Sequence, residues 1–264
     1  MKSIGIITDS HSSISQSEAG ELGIRVLPMP FYIDGTCFYE GINLTREEFF
    51  AKLESGSVIT TSQPSPADVY DIWDEALEEY KKVLYMPLSS GLSGSCQTAM
   101  AMAQEDKYEG RILVVDHGQI ATPLHQMILD TLDLIEKGYS AETIKEILET
   151  SKDRMMIYIG VETLEYLKRG GRVTPAAAAI GTVLNIKPVL KLETGKLDSF
   201  KKCRGFGKAR KAMIEAMKNE IETRFSDAMA DGKLHLLAAT SAGEAETAAW
   251  VEEIEAAFPG MKVF

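Results

Sequence analysis

Cysteine is scarce in this chain, and long apolar runs are missing. The 264 residues include three cysteines, which are far apart and lack the spacing of metal ligands or of a disulfide framework. The first apolar run, Ile4–Ile7, is too short for the core of a signal peptide. No other run approaches the length needed to span a membrane. We therefore expect a cytoplasmic protein with no stable membrane insertion and no cysteine-based metal site.

Positive charge is also in short supply. Lysine and arginine total 28 against 39 aspartates and glutamates, which gives a formal net charge of −11. This balance argues against nucleic acid or an anionic membrane as the main partner. An anionic ligand would have to be held by local geometry rather than by long-range attraction.

Strands and helices alternate through the first half of the chain. Helices with one apolar face separate the strands, and Thr45 and Ser65 have the sequence context of helix N-caps. Buried strands are predicted by four short apolar runs: Ile4–Thr8, Ile24–Pro28, Val83–Met86 and Ile112–Asp116. This alternation predicts a three-layer α/β domain with a parallel sheet over residues 1–152.

The pattern becomes less regular after residue 152. It predicts strands at Met156–Gly160, Pro188–Leu192, Lys196–Cys203, 234–239 and 261–264, with helices from Phe206 and over Glu244–Ala257. Residues 153–264 are therefore expected to form a second α/β domain, built on a mixed sheet with helices on one side.

A loop of glycines and serines, Leu88–Ser95, follows the strand Val83–Met86. The next helix is predicted to begin near Ser93–Ser95, so free backbone N–H groups and the positive end of the helix dipole would meet above the loop. Glycine allows a ligand to approach the backbone closely, and serine adds hydroxyl donors. These features favour a binding site for the oxygens of a small anion.

A second hydroxyl cluster, Thr60–Ser65, precedes the helix that begins at Pro66. Its simplest interpretation is a capped helix entrance. No lysine or arginine occurs at 58–66 or at 87–98, whereas phosphate sites usually add a cation. Hydroxyl and amide groups without a cation better suit a carboxylate. Both clusters, with Thr8–Ser10, could meet where parallel strands end.

Two other functions remain open from the residues alone. Gly91–Ser95 is similar to the nucleophile elbow of serine hydrolases, with Ser93 as nucleophile, although Ser95 stands where the elbow has glycine. That reaction would need a base from His11, His117, His125 or His235. A phosphate-ligand module would need a recruited cation such as Arg172 or Lys187.

Basic residues concentrate at 196–211 in this otherwise acidic chain. They are Lys196, Lys201, Lys202, Arg204, Lys208, Arg210 and Lys211, with Asp198 as the sole acid among them. Such a run is explained by a solvated surface. The alternative is a docking patch around Arg204 for an acidic or nucleotide-bearing partner protein.

Five short motifs together resemble the DegV family of bacterial lipid-binding proteins. They occur in the family's order across most of the chain: Thr8-Asp9-Ser10, Thr60-Thr61-Ser62-Gln63-Pro64-Ser65, Leu88-Ser89-Ser90-Gly91-Leu92-Ser93-Gly94, Leu164–Arg172 and Asn185-Ile186-Lys187-Pro188. The resemblance implies a two-domain α/β carrier that holds one long-chain fatty acid between its domains. It also implies that such a protein is not an enzyme and presents the acid to a fatty acid kinase subunit that makes acyl phosphate.

The resemblance implies specific site residues. Thr61 and Ser93 occupy the positions that bind the carboxylate in that family, and Ser62 and Gly94 are expected to be supporting contacts. No other cofactor or metal is implied. The family's last segment, with a His-x-Gly-Pro-Gly-like sequence near the head group, has no match here. We expect that segment to be missing from this sequence, or the carboxylate to lose one contact.

Overall fold

The computed structural model describes residues 2–39, 42–180, 186–193 and 195–264. The chain divides into two compact units, Met1–Lys152 and Asp153–Phe264. Asn185, which belongs to one of the five motifs, lies outside the described residues. Among the described residues, no helix is long and apolar enough to cross a membrane.

Within its described residues, the first unit contains seven strands and six α-helices. Its strands are β1 (Lys2–Asp9), β2 (Arg25–Leu27), β3 (Pro30–Ile33), β4 (Thr36–Tyr39), β5 (Ile59–Thr61), β6 (Tyr80–Met86) and β7 (Ile112–Val114). Its helices are α1 (Gln16–Leu22), α2 (Arg46–Glu54), α3 (Pro66–Glu79), α4 (Ser95–Met102), α5 (Ala121–Glu136) and α6 (Ala141–Thr150), and a short 3-10 helix covers Ser10–Ser12.

A parallel sheet with the strand order β2-β1-β6-β7 forms the centre of this unit. On one face, Trp73 of α3 is fully buried and packs edge-on against Tyr85 of β6. On the other face, Leu124 and Ile128 of α5 are fully buried beside Leu84. Helices on both faces explain why these strands read as continuous apolar runs. The predicted α/β class is confirmed.

The predicted helix starts are also confirmed. Thr45 and Ser65 each accept a hydrogen bond from the backbone N–H three residues later, and Glu48 and Asp68 close reciprocal capping boxes. Each box satisfies backbone donors that would otherwise lack a partner at the first turn.

A second, antiparallel sheet in this unit was not predicted. Its strand order is β4-β3-β5, and β3 and β4 form a hairpin. The hairpin turns at Asp34 and Gly35, which both have positive φ, 50° and 83°. An Asp-Gly pair is a strong hairpin signal, because two-residue turns of this type need positive φ at both positions. The sheet places Thr61, one of the predicted site residues, at the end of β5.

The described part of the second unit combines three strands with five helices. They are β8 (Ile157–Gly160), α7 (Glu165–Gly170), α8 (Pro175–Ala178), β9 (Ile186–Leu192), β10 (Asp198–Arg204), α9 (Phe206–Glu222), α10 (Ser226–Ala230) and α11 (Glu244–Ala257). The sheet has the order β10-β9-β8 and pairs antiparallel throughout. Helix α9 covers one face, where Ala209 and Ala212 are buried against Val189 and Cys203.

Parallel pairing in this unit is limited, among the described residues, to single residue pairs. Val173 pairs with Leu197, and Leu236 pairs with Val263. The prediction of strands at 234–239 and 261–264 is therefore wrong, because these segments share a single bridge and form no strand. Leu236 packs instead with Ile254 and Phe258 in an apolar cluster, which explains the hydrophobic pattern without a ladder of hydrogen bonds.

Candidate functional site

The serine-rich loop Leu88–Ser95 is fixed at its start by two neighbouring strand ends. Leu88 N–H donates to Asp9 Oδ2 at 2.7 Å, and Ser89 N–H donates to the Gln119 carbonyl at 3.1 Å. Asp9 is fully buried at the end of β1, and its other oxygen accepts from His11 N–H at 3.0 Å. Because a buried carboxylate needs hydrogen bonds, Asp9 holds the loop at the carboxyl edge of the sheet.

Ser93 lies in the last turn of the loop before helix α4. Its N–H donates to the Ser89 carbonyl at 3.1 Å, and its Oγ accepts from Ser95 N–H at 3.2 Å. Ser93 is half-buried and Gly94 is exposed. The hydroxyl proton of Ser93 stays available to a ligand, because the contact with Ser95 uses the oxygen only as an acceptor.

Thr61 and Ser62 lie at the end of the antiparallel sheet rather than at the end of a parallel strand. Thr61 pairs with Phe31, and Ser62 N–H donates to the Pro30 carbonyl at 3.4 Å. The cap of α3 uses only Ser65 of this cluster. Thr61 and Ser62 are exposed, and within the described part of the chain their hydroxyls have no hydrogen-bond partner. Helix capping therefore does not account for these two hydroxyls.

Gln63 joins the two hydroxyl loops. Its side-chain carbonyl accepts a hydrogen bond from Thr98 Oγ1 at 3.3 Å. The same oxygen lies 3.3 Å from where a Cβ on Gly94 would be, so a side chain at Gly94 would crowd it. Gln63, two residues after Thr61, thus lies beside Gly94 and helix α4, so the two hydroxyl clusters are neighbours within the first unit.

Lys152 shares the Asp116 carboxylate with Ser90 of the serine loop, and it is already paired. Lys152 Nζ lies 2.8 Å from Asp116 Oδ2. Burial would raise the pKa of Asp116, but hydrogen bonds from Lys152 and the Ser90 hydroxyl hold that pKa below its usual range. In the described ranges, no lysine or arginine hydrogen-bonds to Thr61, Ser62 or Ser93. This arrangement favours uncharged donors for an acidic ligand.

His117 is, like Asp9, a buried titratable side chain beside this loop. It follows β7, is 1% exposed, and accepts at Nδ1 from Gln119 N–H at 2.9 Å. Burial lowers the pKa of His117 to about 4. Of the described histidines, none hydrogen-bonds to Ser93 Oγ, whose partner is Ser95 N–H. The structure therefore shows no serine–histidine contact of the kind that activates a nucleophile.

The basic residues around Arg204 line a groove in the second unit. The groove has a volume of about 380 Å³ and is lined by Lys201, Lys202, Cys203, Arg204, Lys208, Lys211, Ala212 and Glu215. None of its five cations forms an ion pair within the described residues. Arg210 points elsewhere, because its Nε pairs with Glu253 at 2.7 Å.

Both cations considered for a phosphate site already have partners in the structure. Lys187 pairs with Glu162, and the Arg172 guanidinium donates to the Gly170 carbonyl. Among the described residues there is no cluster of three or more His, Cys, Asp or Glu side chains that could hold a metal ion.

Comparison with known proteins agrees with the motifs. The model of the family described as "Uncharacterised protein, DegV family" matches residues 3–262. The chain belongs to the DegV family. A DegV domain-containing protein of Caldanaerobacter subterraneus is 32% identical over 219 residues, which cover 83% of this chain and 78% of that protein.

Two solved DegV-family structures share the fold along the whole chain. A fatty-acid-binding DegV-family protein from Thermus thermophilus is 35% identical, with a TM-score of 0.82 and coverage of 100% of this chain and 90% of that one. DegV from Bacillus subtilis, described as a fatty acid binding protein, is 28% identical, with a TM-score of 0.80 and coverage of 100% and 92%.

The sequence places Gln63 and Asp9 in the motifs without a role of their own, and it offers His117 only as a possible base for Ser93. Gln63 contacts residues 31 to 35 positions away in the chain, which no local pattern reveals. The one available signal was that Asp9 and His117 both follow predicted strands, where the edges of a parallel sheet meet.

Proposed function

We propose that this chain binds one long-chain fatty acid and holds its carboxylate with the hydroxyls of Thr61 and Ser93. Ser62 and Gly94 are proposed as supporting contacts. The contact of Gln63 with Thr98 and Gly94 carries the proposal, because it brings the two hydroxyl loops together. The related Thermus protein, which is described as fatty-acid-binding, supports the choice of ligand.

The chemistry of the loops fits a carboxylate. A hydrogen bond to a charged group contributes about 1.5–3 kcal/mol, so a few hydroxyl and amide donors can offset much of the desolvation of one carboxylate. An acyl tail adds about 0.8 kcal/mol for each buried methylene, before ordering costs. Most of the affinity would therefore come from the tail, and the loops would fix the position of the head group.

We also propose that the protein is a carrier rather than an enzyme and that it acts in the cytoplasm. Ser93 lacks the histidine contact that an acyl hydrolase would use, as described above. Cys37, Cys96 and Cys203 are all free thiols, which suits a reducing compartment.

Removal of single hydroxyls tests the carboxylate site. Thr61→Val and Ser93→Ala should each raise the Kd for palmitate by roughly tenfold to a hundredfold, as expected for loss of one charged hydrogen bond. Titration calorimetry on delipidated protein measures this change. Thr60→Val is the matched control, because neighbouring strand residues face opposite sides of the sheet. Equal affinities for Thr61→Val and Thr60→Val would refute the role of Thr61.

We propose further that the groove around Arg204 docks a fatty acid kinase subunit. Five unpaired cations on a chain of net charge −11 form a local surface suited to an acidic partner. Lys201→Glu with Arg204→Glu should leave the Kd for palmitate unchanged and abolish binding to a purified kinase subunit. Lys218→Glu, on the same helix as Lys208 but outside the groove, is the control. Retained kinase binding by the double variant would contradict docking at this groove.

A further inference from the structure

His117 is buried beside Met86 and Pro87, just before the serine loop. Its side chain is 1% exposed, yet no hydrogen bond links it directly to Ser93. A fully buried imidazole loses its hydration, so it needs a specific polar contact to remain in the fold. That contact is the Gln119 N–H, which donates to Nδ1 at 2.9 Å.

A chain of backbone hydrogen bonds leads from this contact to Ser93. The Gln119 carbonyl accepts from Ser89 N–H at 3.1 Å, and the Ser89 carbonyl accepts from Ser93 N–H at 3.1 Å. The Ser89 side chain is buried, and its Oγ accepts from Gly91 N–H at 3.3 Å within the same turn. The position of the segment at Gln119 therefore determines where the Ser93 turn begins.

We propose that His117 is a positioning residue for Ser93: its unprotonated Nδ1 fixes Gln119, and Gln119 fixes the turn that presents the Ser93 hydroxyl to the carboxylate. This inference rests on the proposed function, since it assigns a role in the same fatty-acid site. The inference requires one particular tautomer of the His117 imidazole. Because Gln119 N–H is a donor, Nδ1 carries no proton and the neutral ring carries its proton on Nε2.

The surroundings keep the ring neutral at physiological pH. Burial lowers the pKa of His117 to about 4, against the opposing effects of the carboxylates of Asp9 and Asp116 and the carbonyls of Met86 and Pro87. The charge of Asp116 is in turn balanced by Lys152. In the described structure Nε2 meets no hydrogen bond of full geometry, and the carbonyls of Met86 and Pro87 are the acceptors beside the ring, whereas Nδ1 accepts a well-formed bond from Gln119 N–H.

Two amide substitutions separate the nitrogen atoms. In His117→Asn the side-chain carbonyl can stand near the position of Nδ1, whereas in His117→Gln it reaches the position of Nε2. Both variants keep a polar, uncharged side chain in the same buried place. His117→Asn should bind palmitate within about threefold of the parent, because the acceptor for Gln119 N–H is kept. His117→Gln should bind at least about tenfold more weakly, a loss comparable to that of one hydrogen bond.

The assay is calorimetric titration of palmitate into delipidated protein, at a temperature where each variant is folded by circular dichroism. Equal Kd values for the Asn and Gln variants would overturn the role of Nδ1. Ser93→Ala is measured alongside them. If the parent does not bind palmitate, or Ser93→Ala binds as tightly as the parent, the proposed function fails, whatever the His117 variants do.

A spectroscopic measurement keeps the inference testable even if a variant does not fold. In the parent protein, the long-range ¹H–¹⁵N spectrum of the His117 ring should show an unprotonated Nδ1 and a protonated Nε2 between pH 6 and pH 8. A proton on Nδ1 in this range would contradict the inference directly, because Gln119 N–H would then have no acceptor.

Discussion

Acidification should destabilise the first unit through His117. The ordinary pKa of the imidazole is 6.5, and burial lowers that of His117 to about 4. Between these values the unfolded chain binds a proton that the folded chain does not, so the free energy of unfolding falls as the pH falls. Above pH 6.5 the ring is neutral in both the folded and the unfolded chain, so the free energy of unfolding is not reduced. By pH 4 this free energy is lower by roughly 3 kcal/mol.

The variant His117→Asn isolates this loss, because asparagine does not titrate. Carboxylates also titrate in this pH range, but they do so in both the parent and the His117→Asn variant. Between pH 7 and pH 4 the parent should therefore lose roughly 3 kcal/mol more stability than the variant. At pH 7 the variant is expected to be the less stable of the two, because it fills the buried site less well.

Urea unfolding followed by tryptophan fluorescence measures the difference. The chain has two tryptophans, and Trp73 is fully buried in the first unit whereas Trp250 lies in the second. A Trp250→Phe background makes the signal report on the first unit alone, which avoids assuming that the two units unfold together. A parallel loss of stability in parent and variant on acidification would refute the assignment of a neutral, buried imidazole.

Three further predictions concern packing, capping and the loop contact. Trp73→Ala should lower the free energy of unfolding by about 3–5 kcal/mol, since it leaves a cavity beside the sheet. Because this variant lacks the Trp73 reporter, its unfolding in urea is followed by circular dichroism, and a loss below about 1 kcal/mol would contradict the packing. Ser65→Ala should cost about 1 kcal/mol by the same assay, and no loss would contradict the capping box. Gly94→Ala should weaken palmitate binding, because the added methyl group crowds Gln63 Oε1. Adding Gln63→Ala should restore part of the lost affinity. Strictly additive losses of affinity would show that the two residues do not interact.

The parallel sheet could be predicted because its signals are local. Four buried strands appear in the sequence as apolar runs. The start of α3 is indicated by Ser65 as N-cap, Pro66 in the first turn and Asp68 at the third helical position. The serine-rich loop could also be placed from the sequence, whereas Thr60 and Thr61 of the second cluster lie in strand β5. In each case the residues that determine the structure are neighbours in the chain.

The antiparallel sheet could not be predicted in the same way. Its strands have three or four residues, and Phe31 and Phe38 are half-buried against each other rather than part of a continuous core run. The Asp34–Gly35 turn was the available signal. At the other end of the chain, Leu236 and Val263 have the apolar pattern of strand residues. They pack in a cluster instead, and in the described part of the chain they form a single bridge with each other.

The contacts that assemble the site are long-range, so they required the structure. Gln63 contacts Gly94 and Thr98, and Asp9 reaches Leu88 across 79 residues. Sequence spacing shows only that these residues follow strands or begin helices. Which loop touches which follows from the strand order β2-β1-β6-β7 and from the added antiparallel sheet.

A crystal structure of the delipidated chain reloaded with palmitate tests the central claim most directly. The account predicts carboxylate oxygens within about 3.2 Å of both Thr61 Oγ1 and Ser93 Oγ. A carboxylate bound elsewhere on the chain, with both hydroxyls facing solvent, would contradict it.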